Sequence, residues 1–139
     1  MKQKAFHLMQ QQRQQLVKRL EELLRDREEI VFAYLYGSFA EDLPFHDIDV
    51  GIYIESLKEE EATPYSLTLA KILSKTLKTP VDVRILNFAP VLFLYHVIHG
   101  ILIFERKEEI HSRFMERIIQ RYLDLKPLIQ KGTQEAFRR

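Results

Sequence analysis

The sequence predicts an α+β protein in which helices pack on a mixed β-sheet of about four strands. Three observations support this. Segments with apolar residues at helical spacing alternate with short runs typical of strands. Two of those runs alternate apolar and polar residues, as strands with one buried face do. The 139 residues suit one domain with its own core. We therefore predict a single domain over residues 1–139, with an N-terminal helix 5–28, a core 30–104 and a C-terminal helix 107–130.

The first part of the chain is predicted to hold a helix and two strands. Leucines at helical spacing give residues 5–28 a single apolar stripe. Ile30–Tyr36 is a continuous apolar run, which is typical of a strand covered on both faces. Gly37 ends this strand, and residues 38–40 can begin a short helix. Residues 47–55 alternate between apolar and mostly polar positions, which predicts a strand with one face in the core.

The second part alternates helices and strands. Residues 57–63 are highly charged and are expected to form a loop before an amphipathic helix at 64–77. An alternating strand follows at 81–86. An apolar helix at 90–99 begins with proline and precedes a glycine, and a short strand occupies 101–104.

A long amphipathic helix is predicted from residue 107 onward. Pro127 is expected to kink or end it, because proline lacks the N–H that the helix needs. The tail 131–139 is polar and is expected to fray.

Composition excludes several classes of protein. The chain has no cysteine, which excludes disulfide scaffolds, zinc ribbons and thiol enzymes and favours a reducing cytoplasm. Its net charge of +1 does not favour binding to nucleic acid through bulk charge. The N-terminus does not resemble a signal peptide. The uncharged stretch 88–104 is interrupted by proline, histidine and glycine, so we interpret it as a buried helix and strand and not as a membrane span.

Three aspartates form the main candidate site. Asp47 and Asp49 lie two residues apart on a predicted strand, so their side chains leave the same face about 7 Å apart. Asp82 lies on a second strand with the same alternation. If the two strands are neighbours, the three carboxylates converge, and a pair of Mg²⁺ ions would offset their repulsion. The alternative is a solvated sheet face with ordinary acidic residues.

A phosphate-binding turn is predicted just upstream of these aspartates. Gly37 ends a buried strand, and Ser38 begins the predicted short helix. Unpaired N–H groups at such a helix start attract phosphate, and a serine hydroxyl adds a hydrogen bond.

The residues Gly37-Ser38-Phe39-Ala40, the Asp47-Ile48-Asp49 pair and Asp82 resemble those of a known superfamily. It is the nucleotidyltransferase superfamily that includes DNA polymerase beta, and within it the minimal nucleotidyltransferases, which are often antitoxin partners of HEPN-domain proteins. The resemblance covers about residues 10–105. Two positions depart from the common pattern: Glu41-Asp42 stands where Arg-Gly is usual, and His46 where serine is usual.

This resemblance implies roles for five residues. Gly37 and Ser38 would hold the triphosphate, Asp47 and Asp49 would bind both metals, and Asp82 would complete the catalytic metal site. The implied reaction is Mg²⁺-dependent transfer of NMP, with ATP as the expected donor, to a tyrosine of a HEPN toxin. Two alternatives stay open: a catalytically silent antitoxin that occludes its partner, and a small-molecule nucleotidyltransferase. The sequence leaves the acceptor, the base and the oligomeric state open.

The histidines are expected to contribute little. His96 and His99 lie three apart on a helix and are interpreted as packed or capping residues. His7 and His111 are predicted to lie on the surface. His46 directly precedes the first aspartate and is a candidate neighbour of the site.

Two sets of arginines have two interpretations each. Arg84 shares a strand face with Asp82 and would either pair with that carboxylate or contact a phosphate. Arg113, Arg117 and Arg121 recur every four residues on the last helix. They would form either a solvated face paired with nearby glutamates or a stripe that binds a partner.

Overall fold

The computed structural model of the chain describes residues 10–137, with side chains as far as residue 132. The described part contains five helices and four strands, in the order α1 (Gln10–Arg25), β1 (Ile30–Tyr36), α2 (Gly37–Ala40), β2 (Ile48–Ile54), α3 (Glu59–Leu77), β3 (Val81–Ile85), α4 (Val91–Val97), β4 (Ile101–Glu105) and α5 (Glu108–Phe137). Helix α1 is shorter at its C-terminal end than the predicted 5–28, and residues 5–9 lie outside the described part.

The four strands form one mixed sheet in the order β3-β2-β1-β4. Strand β1 is antiparallel to both β2 and β4, whereas β2 and β3 are parallel and are joined through α3. This confirms the predicted α+β class with a mixed four-stranded sheet. Because β2 and β3 run in the same direction, their first residues meet at one edge of the sheet.

Both faces of the sheet are covered. On one face α1 and α3 bury leucines against β1, β2 and β3, among them Leu20, Leu24, Leu69 and Leu73. On the other face α4 and α5 cover the sheet with Leu94, Val97, Phe114 and Ile118. We call this second face the α4/α5 face.

The prediction of a loop at 57–63 is wrong, because α3 already begins at Glu59. The N–H of Lys58 donates to the carboxylate of Glu61 at 3.0 Å, which satisfies a donor at the helix start. Three glutamates in the first turn also complement the positive end of the helix dipole. The charged residues that favoured a loop prediction are therefore the glutamates that stabilise the start of α3.

The predicted end of the last helix near residue 130 is wrong, and Pro127 does not end the helix. Helix α5 continues through Pro127 to Phe137, so most of the tail expected to fray is helical. Pro127 is exposed, and water can therefore satisfy the carbonyl that its missing N–H leaves unpaired.

His111 was expected on the surface, but only 5% of it is exposed. Its Nε2 lies 2.6 Å from the hydroxyl of Tyr34, and its Nδ1 lies 2.5 Å from the carboxylate of Glu105. The ring packs on Phe32 with a centroid distance of 4.5 Å. Its two polar partners lie outside α5, Tyr34 on β1 and Glu105 at the end of β4, which is why the helical pattern of α5 does not reveal the burial. His7 lies outside the described residues.

The uncharged stretch 88–104 forms α4 and β4, as expected. Within residues 10–137, none of the helices combines the length and the apolar character that crossing a membrane requires.

Candidate active site

One row of three residues crosses the sheet on the α4/α5 face. In the strand register Tyr36 of β1 faces Asp49 of β2, and Asp49 faces Asp82 of β3. Residues paired directly across neighbouring strands point to the same face. Asp47 stands two residues before Asp49, immediately ahead of β2, and is exposed. The strand register thus places all three predicted aspartates at the same edge of the sheet.

The row carries uncompensated negative charge. Partial burial raises the pKa of the Asp49 carboxyl to about 6, and the charges of Asp47 and Asp82 add to the effect. Arg84 opposes this shift without cancelling it. Burial and the same carboxylates also raise the pKa of the Tyr36 hydroxyl above its ordinary value. The site therefore favours a cation, or a proton where no cation is bound.

Gly37 lies against the Asp49 carboxylate. Its φ of 80° is in the left-handed region, and a Cβ added there would lie 2.4 Å from Oδ2 of Asp49. Only glycine allows both the backbone conformation and this close approach. Ser38 follows in the first turn of α2, half-buried. Gly37 thus lies beside the Asp49 carboxylate, and Ser38 directly follows it in the chain.

Arg84 is the basic residue nearest to this row. Its Nε lies 4.0 Å from Oδ2 of Asp82, at the outer limit of an ion pair, and both side chains are about half exposed. Its guanidinium lies over the Phe93 ring, 5.3 Å from the centroid. Pairing with Asp82 is therefore weak, and a contact with phosphate stays a prediction.

Sequence reasoning missed Tyr36 and Phe93. The Tyr36 ring meets Phe93 and His96 edge to face, with centroid distances of 5.4 and 6.0 Å. Tyr36 is 93% buried, and its strand position is beside the carboxylates. Tyr36 directly precedes Gly37, and this position at the end of a strand was the available signal. Phe93 had no such signal, because its position depends on how α4 packs.

Glu41 and Asp42, which depart from the common family pattern, have different surroundings in the structure. Asp42 pairs with Arg13 of α1 at 3.1 Å, and Arg13 also donates to the Phe39 carbonyl. Glu41 is exposed and lines a cavity of about 140 Å³ beside Gly37. Asp42 is thus neutralised away from the carboxylates, whereas Glu41 stays close to the turn.

The histidines near the site differ in their contacts. His99 donates from Nδ1 to the Tyr95 carbonyl at 2.7 Å, which agrees with the interpretation as a capping residue. His96 and His99 both line the cavity that Glu41 borders. His46 is exposed next to Asp47, and a role for it stays a prediction.

The aspartates suit Mg²⁺ in their chemistry, since they supply oxygen ligands and excess negative charge. In residues 10–132, however, no three acidic or histidine side chains form a group that could hold a metal ion. Two Mg²⁺ ions held by Asp47, Asp49 and Asp82 therefore stay a proposal.

The sequence matches the model of the family Polymerase beta, Nucleotidyltransferase over residues 18–109. The chain belongs to this family. The match includes the turn at Gly37, all three aspartates and the whole sheet. No curated protein matches the chain.

Solved structures share the fold of this family member. A chain in the complex of tri-AMPylated Shewanella oneidensis HEPN toxin with MNT antitoxin is 21% identical, with 90% of this chain and 98% of that chain covered and a TM-score of 0.69. A chain of the toxin-antitoxin MntA-HepT is 20% identical, with 89% and 98% covered and a TM-score of 0.68. A chain of a toxin-antitoxin with AMP-PNP is 21% identical, with 87% and 98% covered and a TM-score of 0.70. At these identities the likeness shows the fold alone.

Proposed function

We propose that the protein transfers NMP, expected to be AMP, from a nucleoside triphosphate to a hydroxyl of a partner protein. The observation that carries this proposal is the row in which Asp49 and Asp82 face each other beside Gly37, with Asp47 two residues away. Membership of the nucleotidyltransferase family supports it.

The acceptor that we propose is a tyrosine of a HEPN-domain toxin, so that the protein acts as an antitoxin. Support comes from the fold neighbours, which include a complex with a tri-AMPylated HEPN toxin and a toxin-antitoxin with AMP-PNP. These neighbours also make ATP the expected donor.

Asp47 and Asp49 would hold two Mg²⁺ ions, and Asp82 would complete the site of one of them. When bound, Mg²⁺ lowers the pKa of the attacking hydroxyl and offsets charge on the leaving pyrophosphate. The raised pKa of Asp49 supports this assignment, because burial first, and then the charges of Asp47 and Asp82, disfavour a carboxylate that has no cation beside it.

The chain itself would bind the triphosphate and move one proton. The backbone at Gly37 and the hydroxyl of Ser38 would hold phosphate oxygens at the start of α2. Asp82 would accept the proton of the acceptor hydroxyl. The hydroxyl oxygen then bonds to the α-phosphorus, the bond from that phosphorus to the bridging oxygen breaks, and pyrophosphate leaves.

The decisive experiment uses Asp82→Asn. Asn is close to Asp in size, and the neighbouring Val81 and Val83 keep β3 packed in the core. We expect triphosphate binding to persist, measured by calorimetry with Mg²⁺ and ATP. We expect transfer to be lost, measured by mass spectrometry as the absence of a partner adduct heavier by one AMP. The partner is the HEPN-type protein encoded beside this chain, where one is present, and Asp42→Asn serves as an exposed-carboxylate control.

A second candidate is the silent antitoxin that occludes its partner. One observation favours it, since the exposed Glu41 adds a negative charge beside Gly37, next to the proposed triphosphate turn. If the unmodified protein and Asp82→Asn silence the partner equally and neither yields an adduct, occlusion is correct and nucleotidyl transfer is wrong.

A further inference from the structure

Two arginines on α5 have no electrostatic partner among the side chains of residues 10–132. Arg113, Arg117 and Arg121 follow one another on one face of the helix, four residues apart. Arg113 pairs with Glu109. Neither Arg117 nor Arg121 makes an ion pair or a hydrogen bond with any residue whose side chain the structure describes. All three arginines are exposed, but within the described side chains pairing with a nearby glutamate is seen for Arg113 alone.

These two arginines border a groove on the α4/α5 face. Two adjoining cavities of about 180 and 260 Å³ share Tyr53, Phe114 and Arg117 as lining residues. The smaller cavity is also lined by Arg121 and by Phe88, which is 45% exposed. We call the two cavities together the Arg117 groove.

Two other polar side chains of the Arg117 groove, those of Asn87 and Glu55, are already engaged. Asn87 accepts from the N–H of Ile54 at 3.0 Å and donates to the carbonyl of the same residue at 2.6 Å. Glu55 pairs with Lys107 outside the groove. Among the charged residues that line the groove, the two without a partner are therefore both positive, and they stand beside an apolar and aromatic floor.

The Arg117 groove combines space for an apolar side chain with cationic groups at its border. A cavity of about 180 Å³ accommodates one large apolar side chain. Unpaired arginines select carboxylates, which guanidinium groups bind in a planar, two-pronged geometry.

We propose that the Arg117 groove docks an acidic segment of a partner protein, with one aromatic side chain in the cavity and flanking carboxylates on Arg117 and Arg121. The groove is separate from the aspartates, because Tyr53 lies four residues after Asp49 on β2, about 13 Å along the strand. The proposal does not depend on nucleotidyl transfer. It would hold for an enzyme and for an occluding antitoxin alike.

The test uses three labelled peptides and fluorescence anisotropy. The first is acetyl-Glu-Asp-Phe-Asp-Glu, the second replaces its acids with lysines, and the third replaces its phenylalanine with glycine. We expect the full chain to bind the first peptide best, with an affinity that falls as salt is added. The Arg117→Ala/Arg121→Ala variant is expected to weaken this binding by about tenfold or more, as loss of charge-assisted pairs does.

Two controls separate the groove from general charge effects. Lys18→Ala/Arg19→Ala removes the same charge from exposed positions on α1 and should bind the acidic peptide as the unmodified protein does. Phe88→Ala should reduce the preference for the phenylalanine peptide over the glycine peptide.

Four results would overturn the proposal. They are no binding at about 1 mM peptide, equal binding of the basic peptide, an equal loss in the α1 control, and displacement of the acidic peptide by ADP without Mg²⁺. The last result would make the groove a nucleotide subsite. None of them bears on transfer, which Asp82→Asn tests separately.

Discussion

Two polar clusters lie on the same face of the sheet and begin with tyrosines two residues apart on β1. In the first, Tyr34, His111 and Glu105 form a chain of hydrogen bonds under α5, at 2.6 and 2.5 Å. In the second, Tyr36 stands beside Asp49 and Asp82 near the end of the same face, and none of the contacts there neutralises the carboxylates.

This difference in hydrogen bonding and charge indicates that the first cluster stabilises the fold and the second is suited to binding a ligand. A buried polar group that has all its partners holds the fold in one arrangement, whereas carboxylates that repel each other reduce stability. Burial and Glu105 raise the pKa of Tyr34 to about 12, so its hydroxyl stays protonated for the bond to His111. The aspartates, in contrast, have Arg84 at 4.0 Å from Asp82 as a weak counter-charge, and a cationic ligand could supply more. We therefore expect mutations in the first cluster to lower the free energy of unfolding of the protein. Removal of a charge in the second cluster is expected to raise it.

The largest effect is expected for His111→Ala. It removes both hydrogen bonds, leaves the buried Tyr34 hydroxyl without a partner and opens a cavity beside Phe32. We expect a loss of about 3 kcal/mol in the free energy of unfolding, measured by urea denaturation. His99→Ala is the matched control, since His99 is exposed and makes one local bond. Equal losses in the two variants would contradict the structural role of the His111 cluster.

The second largest loss in the free energy of unfolding is expected for Gly37→Ala. The left-handed φ and the contact with Asp49 together predict a loss of about 2 kcal/mol in unfolding free energy. We also expect weaker binding of ATP with Mg²⁺, measured by calorimetry, because the carboxylate must move away. The control is Gly132→Ala, where an added Cβ meets no atom within 4 Å. That control should leave ATP binding unchanged, and unaltered binding in Gly37→Ala would show that the turn does not contact the nucleotide.

Asp49→Asn is expected to stabilise the protein at neutral pH. The folded pKa of about 6 lies above the ordinary value of 3.8, so the folded state holds a proton more tightly than the unfolded state does. This contribution favours folding below about pH 4 and is lost as the pH rises through 6. Because Asn carries no charge, the variant should be more stable by about 1 kcal/mol at pH 8, a value reduced for solvent screening.

Urea denaturation at pH 4 and pH 8 checks this prediction. The gain should vanish at the lower pH, where Asp49 is protonated in the unmodified protein. A gain of the same size at both pH values would mean that the partly buried charge of Asp49 is not its cause.

The smallest effect is expected for Asp42→Asn. Asp42 is an exposed partner of Arg13, and such pairs contribute about 0–1 kcal/mol. Asn also tolerates the left-handed φ of 58° at this position. We expect a change below about 0.5 kcal/mol in the free energy of unfolding, measured by urea denaturation at pH 8. A gain at pH 8 as large as that of Asp49→Asn would show that the effect is not specific to the row of carboxylates.

The sequence by itself determined which residues share a face within one segment. The alternation at 47–55 and 81–86 has a period of two, and a strand turns that period directly into two faces. Asp49 and Asp82 could therefore be assigned to outward positions without any tertiary contact. The helical spacing on α5 showed the arginine stripe for the same reason.

Tertiary structure alone decided what those residues meet. The register that sets Asp49 opposite Asp82 and Tyr36 depends on how separate strands pair, which local periodicity does not specify. The burial of His111 depends on partners 77 and 6 residues away. The groove beside Arg117 likewise depends on tertiary packing, because its cavity is lined by Leu94 of α4 and by Phe114 and Ile118 of α5. Period and composition are properties of neighbours in the chain, whereas charge compensation and cavities belong to residues that only folding brings together.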